Sequence, residues 1–498
     1  MIDPAPFRQF RKYTRVQLNE SYTNGKENSL IDAGLGLGRS FRVGLGGQGQ
    51  VVHLGSLYGN PKPTKSDTIA VDSISLVQNK QVQSDWLERL SLLVNFADRL
   101  ARSSQTSSAA AVRLLSAQLD HTQIDIDESA IPSATPSSQL RFHHFASLTP
   151  PADRAPEPSL WRLGQALFDE IDDEAIPLDA AADTRAHIHQ LRRKDRLQAW
   201  LEDAVKADVE DDLRRAAATD SAATPGAGAK RVFAMLSGHQ LERACEAAVE
   251  AGDLRLATLL AQAGGDDEFR EDLFLQLAKW REYRVEAHVA VPYRKVYELL
   301  CGNVGLSDGV AQGDKVDGAP AVHVSEGLDW KRAFGLHLWY GTFQTSVATA
   351  VERYEAAAQV DAQVAAPFPA YIEKPTTPSS SSTTWVPRQG DAPTDPAFEL
   401  LKVFTSPTHP LERALLPRNF GSSPVDYRMS WHLYTLLSRV LRRRDFEDRV
   451  EVGEDGAEVE GNSVRADAVA ESYAAQLESE GLWTWAAFVL LHLELPER

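Results

Sequence analysis

LSGHQLERACEAAVEAGDLRLATLLAQAGGDDEFREDLFLQLAKW, residues 236–280, is the stretch that decides the fold. Leu241, Ala244, Cys245, Ala248 and Val249 fall on one face of a helix that opens at Gly238-His239. Ala251-Gly252-Asp253 closes it: Gly252 suits a left-handed cap, and Asp253 supplies the side-chain oxygen that starts the next helix. Leu256, Leu259, Leu260 and Ala263 form the second apolar face, and Gly264-Gly265-Asp266 ends that helix. Phe269, Leu273, Leu277 and Trp280 form the third. The links are short, so successive helices must lie antiparallel. Alanines on the facing sides allow close approach. This is an α-solenoid element, although no strict repeat period runs along the chain.

Towards the C-terminus the helical reading continues. Leu433, Leu436, Leu437, Val440 and Leu441 form a stripe, and Arg442-Arg443-Arg444 end it where cations meet the negative end of the dipole. The apolar run 482–493 is interrupted by Thr484 and His492 and is too short to span a bilayer, so it reads as a core helix. Three stretches read as mobile surface loops: 222–228, 365–396 and the acidic 451–462.

Towards the N-terminus, Trp86, Leu90, Leu93, Val94, Ala97 and Leu100 mark one more helix. Six prolines between 127 and 159 mark an irregular connection. Residues 41–77 differ: Phe41-Arg42-Val43, Val51-Val52-His53-Leu54 and 69–77 are short apolar runs separated by turn residues, a three-strand pattern. Residues 1–40 read as a flexible lead-in. Three short strands cannot fold alone. They must pack on the chain's own helices or add to the open edge of another protein's sheet. Gly44-Leu45-Gly46-Gly47-Gln48-Gly49 fits G-x-G-x-x-G, but Gln50 to Gly55 favour a strand, where a dinucleotide site needs a helix. A glycine turn is the better reading.

Across 498 residues, Asp and Glu outnumber Lys and Arg by 70 to 52, giving a formal net charge of −18. That balance repels phosphate backbones and anionic lipid, so neither direct nucleic-acid nor direct membrane binding is expected. Cys245 and Cys301 are far apart and read as reduced thiols. The opening Met1-Ile2-Asp3-Pro4 lacks a signal-peptide apolar run. His143-His144 and His187-x-His189 lack zinc-spaced partners, and Ser237-Gly238-His239 is not a nucleophile elbow. No catalytic residue, metal or cofactor is expected.

Phe41 to Gly46 with Val51 to Gly55, Leu160 to Asp169, Leu236 to Cys245, Leu254 to Leu260, Asp426 to Tyr434 and Leu482 to Leu490 together resemble one family. It is the fungal C-terminal scaffold nucleoporin released from a self-cleaving precursor, counterpart of the vertebrate 96-kDa nucleoporin. The resemblance covers about residues 41–498. It implies the ancestral coatomer element, a mostly α fold in which a solenoid doubles back into a trunk and a crown. A three-stranded blade precedes it and completes a partner's open six-bladed β-propeller, one shared with the COPII vesicle coat. The implied blade residues are Phe41, Val43, Val51, Val52, Leu54, Ile69, Val71, Ile74, Leu76 and Val77. The implied crown spans 160–300, with Leu241, Ala244, Ala248, Leu256 and Leu259 as core or contact residues. First trunk helices are expected over 85–159 and further trunk helices over 301–498.

The resemblance further implies a structural, non-enzymatic subunit of the pore's Y-shaped complex at the nuclear envelope, supporting pore assembly and transport of mRNA and protein. A second helical nucleoporin would bind the crown. The other arms of the Y would bind a tail module expected to be absent here. A vesicle-coat cage subunit of the same fold is the alternative. Two positions depart from the family: Leu45 and Gly47 stand where tryptophan and proline are usual in the glycine turn.

Overall fold

The computed structural model describes residues 43–46, 50–54, 69–73, 108–126, 132–171, 181–219, 225–263, 267–309, 318–341, 346–372, 393–452, 458–460 and 462–494. The chain divides into two compact units, Met1–Ala101 and Arg102–Arg498. In the first, β1 (Val43–Gly46), β2 (Gln50–Leu54) and β3 (Ile69–Ser73) form one antiparallel sheet in that order. The strand pattern of the sequence is therefore present, but shifted: Gly44-Leu45-Gly46 belongs to β1, not to the turn. The expected helix at 86–100 lies outside the described residues.

The second unit is mostly helical. It opens with helix α1 (108–119) and a hairpin of β4 (Thr122–Ile126) and β5 (Pro132–Pro136). The outgoing leg continues through α2 (Phe142–Ala146), α3 (Pro156–Phe168) and the long α4 (Ala182–Thr219). A block of five helices follows: α5 (Ala227–Leu236), α6 (Leu241–Glu250), α7 (Leu254–Ala261), α8 (Asp267–Glu282) and α9 (Val291–Leu300). A short ladder, β6 (Leu306–Ser307) with β7 (Val322–His323), leads to the returning leg. That leg holds α10 (Trp330–Trp339), α11 (Val347–Val360), α12 (Pro396–Thr405), α13 (Leu411–Ala414), α14 (Pro417–Phe420) and α15 (Arg428–Tyr434). Strands β8 (Val450–Val452) and β9 (Glu458–Glu460) pair before the closing helices α16 (Val464–Ser479) and α17 (Trp483–Leu490).

Local chemistry sets many of these ends. Asp253, Asp329, Ser346, Asp395 and Ser463 accept backbone N–H groups at helix N-termini, and proline opens α3, α9 and α12. Gly252, at φ +77°, turns the chain between α6 and α7 as its sequence position predicts.

Side-chain burial shows that the chain goes out and comes back. Trp161, Leu167 and Leu197 of the outgoing leg share a core with Phe334, Tyr354, Phe398 and Leu433 of the returning leg. The five-helix block has its own core, including Val232, Ala244, Leu256, Leu273 and Val296. Leu336 and Tyr340 of α10 belong to that second core, while Trp330 and Phe334 of the same helix belong to the first. A third core joins Leu115 of α1 to Trp431, Tyr473, Leu477 and Phe488. Residues 160–205 thus pack with the returning leg rather than with the five-helix block.

Four sequence readings change. Gly238-His239 does not open α6; it forms the turn before it, with His239 at φ +58°. The stripe 433–441 is not one regular α-helix, because Thr435–Val440 widens into a π turn. Arg442 follows at φ +48°, and Arg444 donates to the Ser406 carbonyl at 2.7 Å, capping α12 as well as closing its own helix. Finally, Pro132–Pro136 is a strand despite its prolines, and part of the acidic 451–462 stretch is the β8–β9 ladder.

Candidate interaction surfaces

The blade candidate is a backbone object. Its register sets Leu45 opposite Val51, Val52 opposite Val71 and Leu54 opposite Ile69. Val43, Val51, Val52, Leu54, Ile69 and Val71 therefore lie in one sheet. Phe41, Ile74, Leu76 and Val77 lie outside the described residues. Among the described residues no strand pairs with the outer edge of β1 or of β3. Each edge leaves backbone donors and acceptors that another strand can take.

The crown candidates sort differently. Ala244, Ala248 and Leu256 are buried in the core of the five-helix block, and Leu241 and Leu259 pack against it half-buried. All five hold the block together. The exposed apolar surface of the block lies elsewhere, at Leu254 (65% exposed), Phe274 (58%), Leu275 (50%) and Tyr283 (71%). Phe274 and Leu275 fall off the Leu273/Leu277 stripe of α8. Apolar residues in excess of the core stripe were the signal available in the sequence.

The Ser237-Gly238-His239 turn is the joint between this block and the long helix α4. Ser237 is fully buried; its hydroxyl donates to the Ala234 carbonyl at 2.7 Å and accepts from Arg332 Nε at 3.0 Å. A Cβ on Gly238 would meet Val209 of α4 at 2.6 Å, so only glycine allows this approach. His239 stacks on Trp339, with ring centroids 5.0 Å apart, and its Nδ1 lies 2.7 Å from Glu202 Oε1. The Arg332 guanidinium completes the joint through Asp212 on α4, at 2.5 Å.

The paired histidines His143 and His144 have structural partners. His143 Nδ1 lies 3.0 Å from Asp169 Oδ2, and the same carboxylate accepts the Phe142 and His143 N–H groups, capping α2. His144 Nδ1 accepts the Arg141 N–H at 3.0 Å. Its imidazole is held below the ordinary value by burial first, then by His143 and His121. His187 and His189 fall on α4. A broad cleft of about 1040 Å³ borders Arg141, Arg196, Asp169 and Trp200. Two of its arginines bond backbone carbonyls, Arg162 that of Pro158 and Arg196 that of Glu170, while Arg193 donates to the Ala166 and Asp169 carbonyls at the end of α3. Burial, with Arg196 and Arg443 nearby, lowers the Arg193 pKa to about 10. Among the described residues no group of three or more His, Cys, Asp or Glu side chains is arranged to hold a metal. Among them, too, no helix is long and apolar enough to cross a membrane.

A helical array that doubles back on itself and presents long faces is the class of protein that the fold defines. Its sequence narrows the class. The sequence model of the family described as nuclear protein 96 matches residues 230–498. Similar proteins include nucleoporin nup189 of Schizosaccharomyces pombe, 28% identical over 385 residues, covering 77% of this chain and 20% of that protein. Nuclear pore complex protein Nup98-Nup96 of Drosophila melanogaster is 27% identical over 484 residues, 94% of this chain and 22% of its own. Nuclear pore complex protein NUP96 of Arabidopsis thaliana is 25% identical over 516 residues, 95% of this chain and 44% of its own. The chain therefore spans between 20% and 44% of the length of these relatives. The chain belongs to the nuclear protein 96 family.

Proposed function

We propose that this chain is a structural scaffold subunit of the nuclear pore complex, resident at the nuclear envelope, and that it acts by binding other subunits and not by catalysis. The reading rests on family membership and on relatives named as nuclear pore proteins. In its finer form, residues 41–77 donate a seventh blade to an open six-bladed propeller, and the helical unit is an ancestral coatomer element. The observation that carries the blade is the antiparallel sheet β1–β2–β3, whose outer edges are unpaired among the described residues. Strand addition would satisfy those edges and bury apolar side chains at ~25 cal/mol per Å². We assign the crown to the five-helix block and its partner contact to the exposed Phe274, Leu275 and Tyr283. The out-and-back core supports the trunk.

Deleting 41–77 and co-purifying the chain from cells tests the blade. Loss of the propeller with an unchanged helical far-UV signal is expected; retention of the propeller rejects the assignment. Phe274→Asp combined with Leu275→Asp should release a second helical partner and keep the propeller. A fluorescent fusion should mark the nuclear rim; labelling of vesicle exit sites would favour the vesicle-coat alternative.

A further inference from the structure

The β4–β5 hairpin protects one edge and leaves the other open. In β5 the Ala134 N–H points away from β4 and donates to the Leu491 carbonyl at the end of α17, at 2.8 Å. Outward N–H groups alternate along a strand, so positions 132 and 136 would carry the other two; both are proline and have none. That edge is closed by two missing donors and one bonded one. The register pairs Thr122 with Pro136, Ile124 with Ala134 and Ile126 with Pro132. The backbone groups of Thr122, Ile124 and Ile126 therefore also point away from the hairpin, on the opposite side. Among the described residues nothing pairs with that edge. It has no proline, lysine or bulge to discourage a further strand. Ala134 and Pro136 turn into the body and are buried, whereas Ile124, on the same face, is 48% exposed. Asp125 faces solvent on the other side.

Charge selects the occupant. From Asp120 to Leu140 the sequence holds four carboxylates, Asp120, Asp125, Asp127 and Glu128, and no Lys or Arg. We propose that β4 is a strand-addition site, distinct from the blade, for an extended basic peptide of another protein that alternates apolar residues with Lys or Arg. Its backbone takes the outward groups of Thr122, Ile124 and Ile126. Its apolar residue lies beside Ile124, and its cation lies opposite Asp125.

The probe is a fluorescein-labelled peptide alternating valine with lysine, measured by anisotropy against the full chain. Two controls accompany it: one with glutamate for lysine, one with its central valine replaced by proline. Ile124→Pro removes only an outward N–H, as Pro132 and Pro136 already do on the other strand, and slow exchange of the Ala134 amide reports that the hairpin persists. Binding of the lysine peptide, weakened about tenfold or more by proline in either partner, is expected. Asp125→Lys should transfer the preference to the glutamate peptide, which tests the site should Ile124→Pro unfold the hairpin. In hydrogen exchange the Ile124 amide should slow when the peptide is added. No binding, binding indifferent to both variants, or an Ile124 amide already slow in the chain alone would overturn the proposal; the last would mean that the chain covers this edge itself.

Discussion

Arg332 and Asp212 lie 120 residues apart in the chain and 2.5 Å apart in space. The guanidinium is 3% exposed and also reaches Ser237 and Asp329, so one side chain ties α4, the end of α5 and the start of α10. Removing one member of a buried pair strands the other, at about 3–5 kcal/mol. Asp212 is partly hydrated and also pairs with Arg215, which reduces the cost. Arg332→Met is expected to destabilise by about 2–3 kcal/mol, read as a lower denaturant midpoint.

Gly164 on α3 lies against the buried ring of Phe142. A Cβ there would sit 2.0 Å from Phe142 Cδ1, and the ring is hemmed in by Phe168 and Trp161. Overpacking of this kind costs about 1–3 kcal/mol. Gly164→Ala should therefore lower the melting temperature clearly, although alanine is the better helix former.

His337 is buried on α10, and neither ring nitrogen has a hydrogen-bond partner among the described residues. Burial, reinforced by Arg353, lowers its pKa to about 4. The fold holds the neutral ring, whereas the unfolded chain takes up a proton below the ordinary histidine value. Stability is thus intact above about pH 6.5 and declines as pH falls from there towards 4. His492, also near 4 through burial, adds to the same decline. His337→Leu should change stability little at pH 7.5 and gain about 2 kcal/mol over the parent at pH 5. Denaturation midpoints at the two values decide it; an equal effect at both would reject the titration.

Glu494 gathers the C-terminal region. Its carboxylate accepts from Arg439 at 2.6 Å, from Arg449 at 2.7 Å and from the Ser463 N–H at 2.9 Å. Desolvation pushes its pKa up, but the Arg449 and Ser463 hydrogen bonds and the two arginine charges outweigh it and hold the group below the ordinary glutamate value. Glu494→Gln should keep the shape and lose the charge. Faster proteolysis within 462–494, with cleavage elsewhere unchanged from the parent, is the expected readout.

Much of the helical layout was legible because its signals are local. Gly252 and Asp253 turn and cap the chain where their chemistry says they must. The strands at 50–54 and 69–73 follow from short runs rich in β-branched residues, Val51-Val52 and Ile69 with Val71. What escaped depends on partners distant in sequence. Prolines at 132 and 136 read as strand breakers until the register shows that their missing donors point outward. The π turn at 435–440 has no composition that separates it from a regular stripe. Of the five residues expected as core or contact, Ala244, Ala248 and Leu256 are buried and Leu241 and Leu259 pack against them half-buried, because periodicity finds the face a helix hides. Phe274 and Leu275, which it presents, lie off that period.

Helix α10 gives one face to each of two cores. It is a party wall: neither room can lose its furnishings while the wall stands unmoved. A shift of α10 disturbs both cores at once, through Leu336 and Tyr340 on one side and Trp330 and Phe334 on the other.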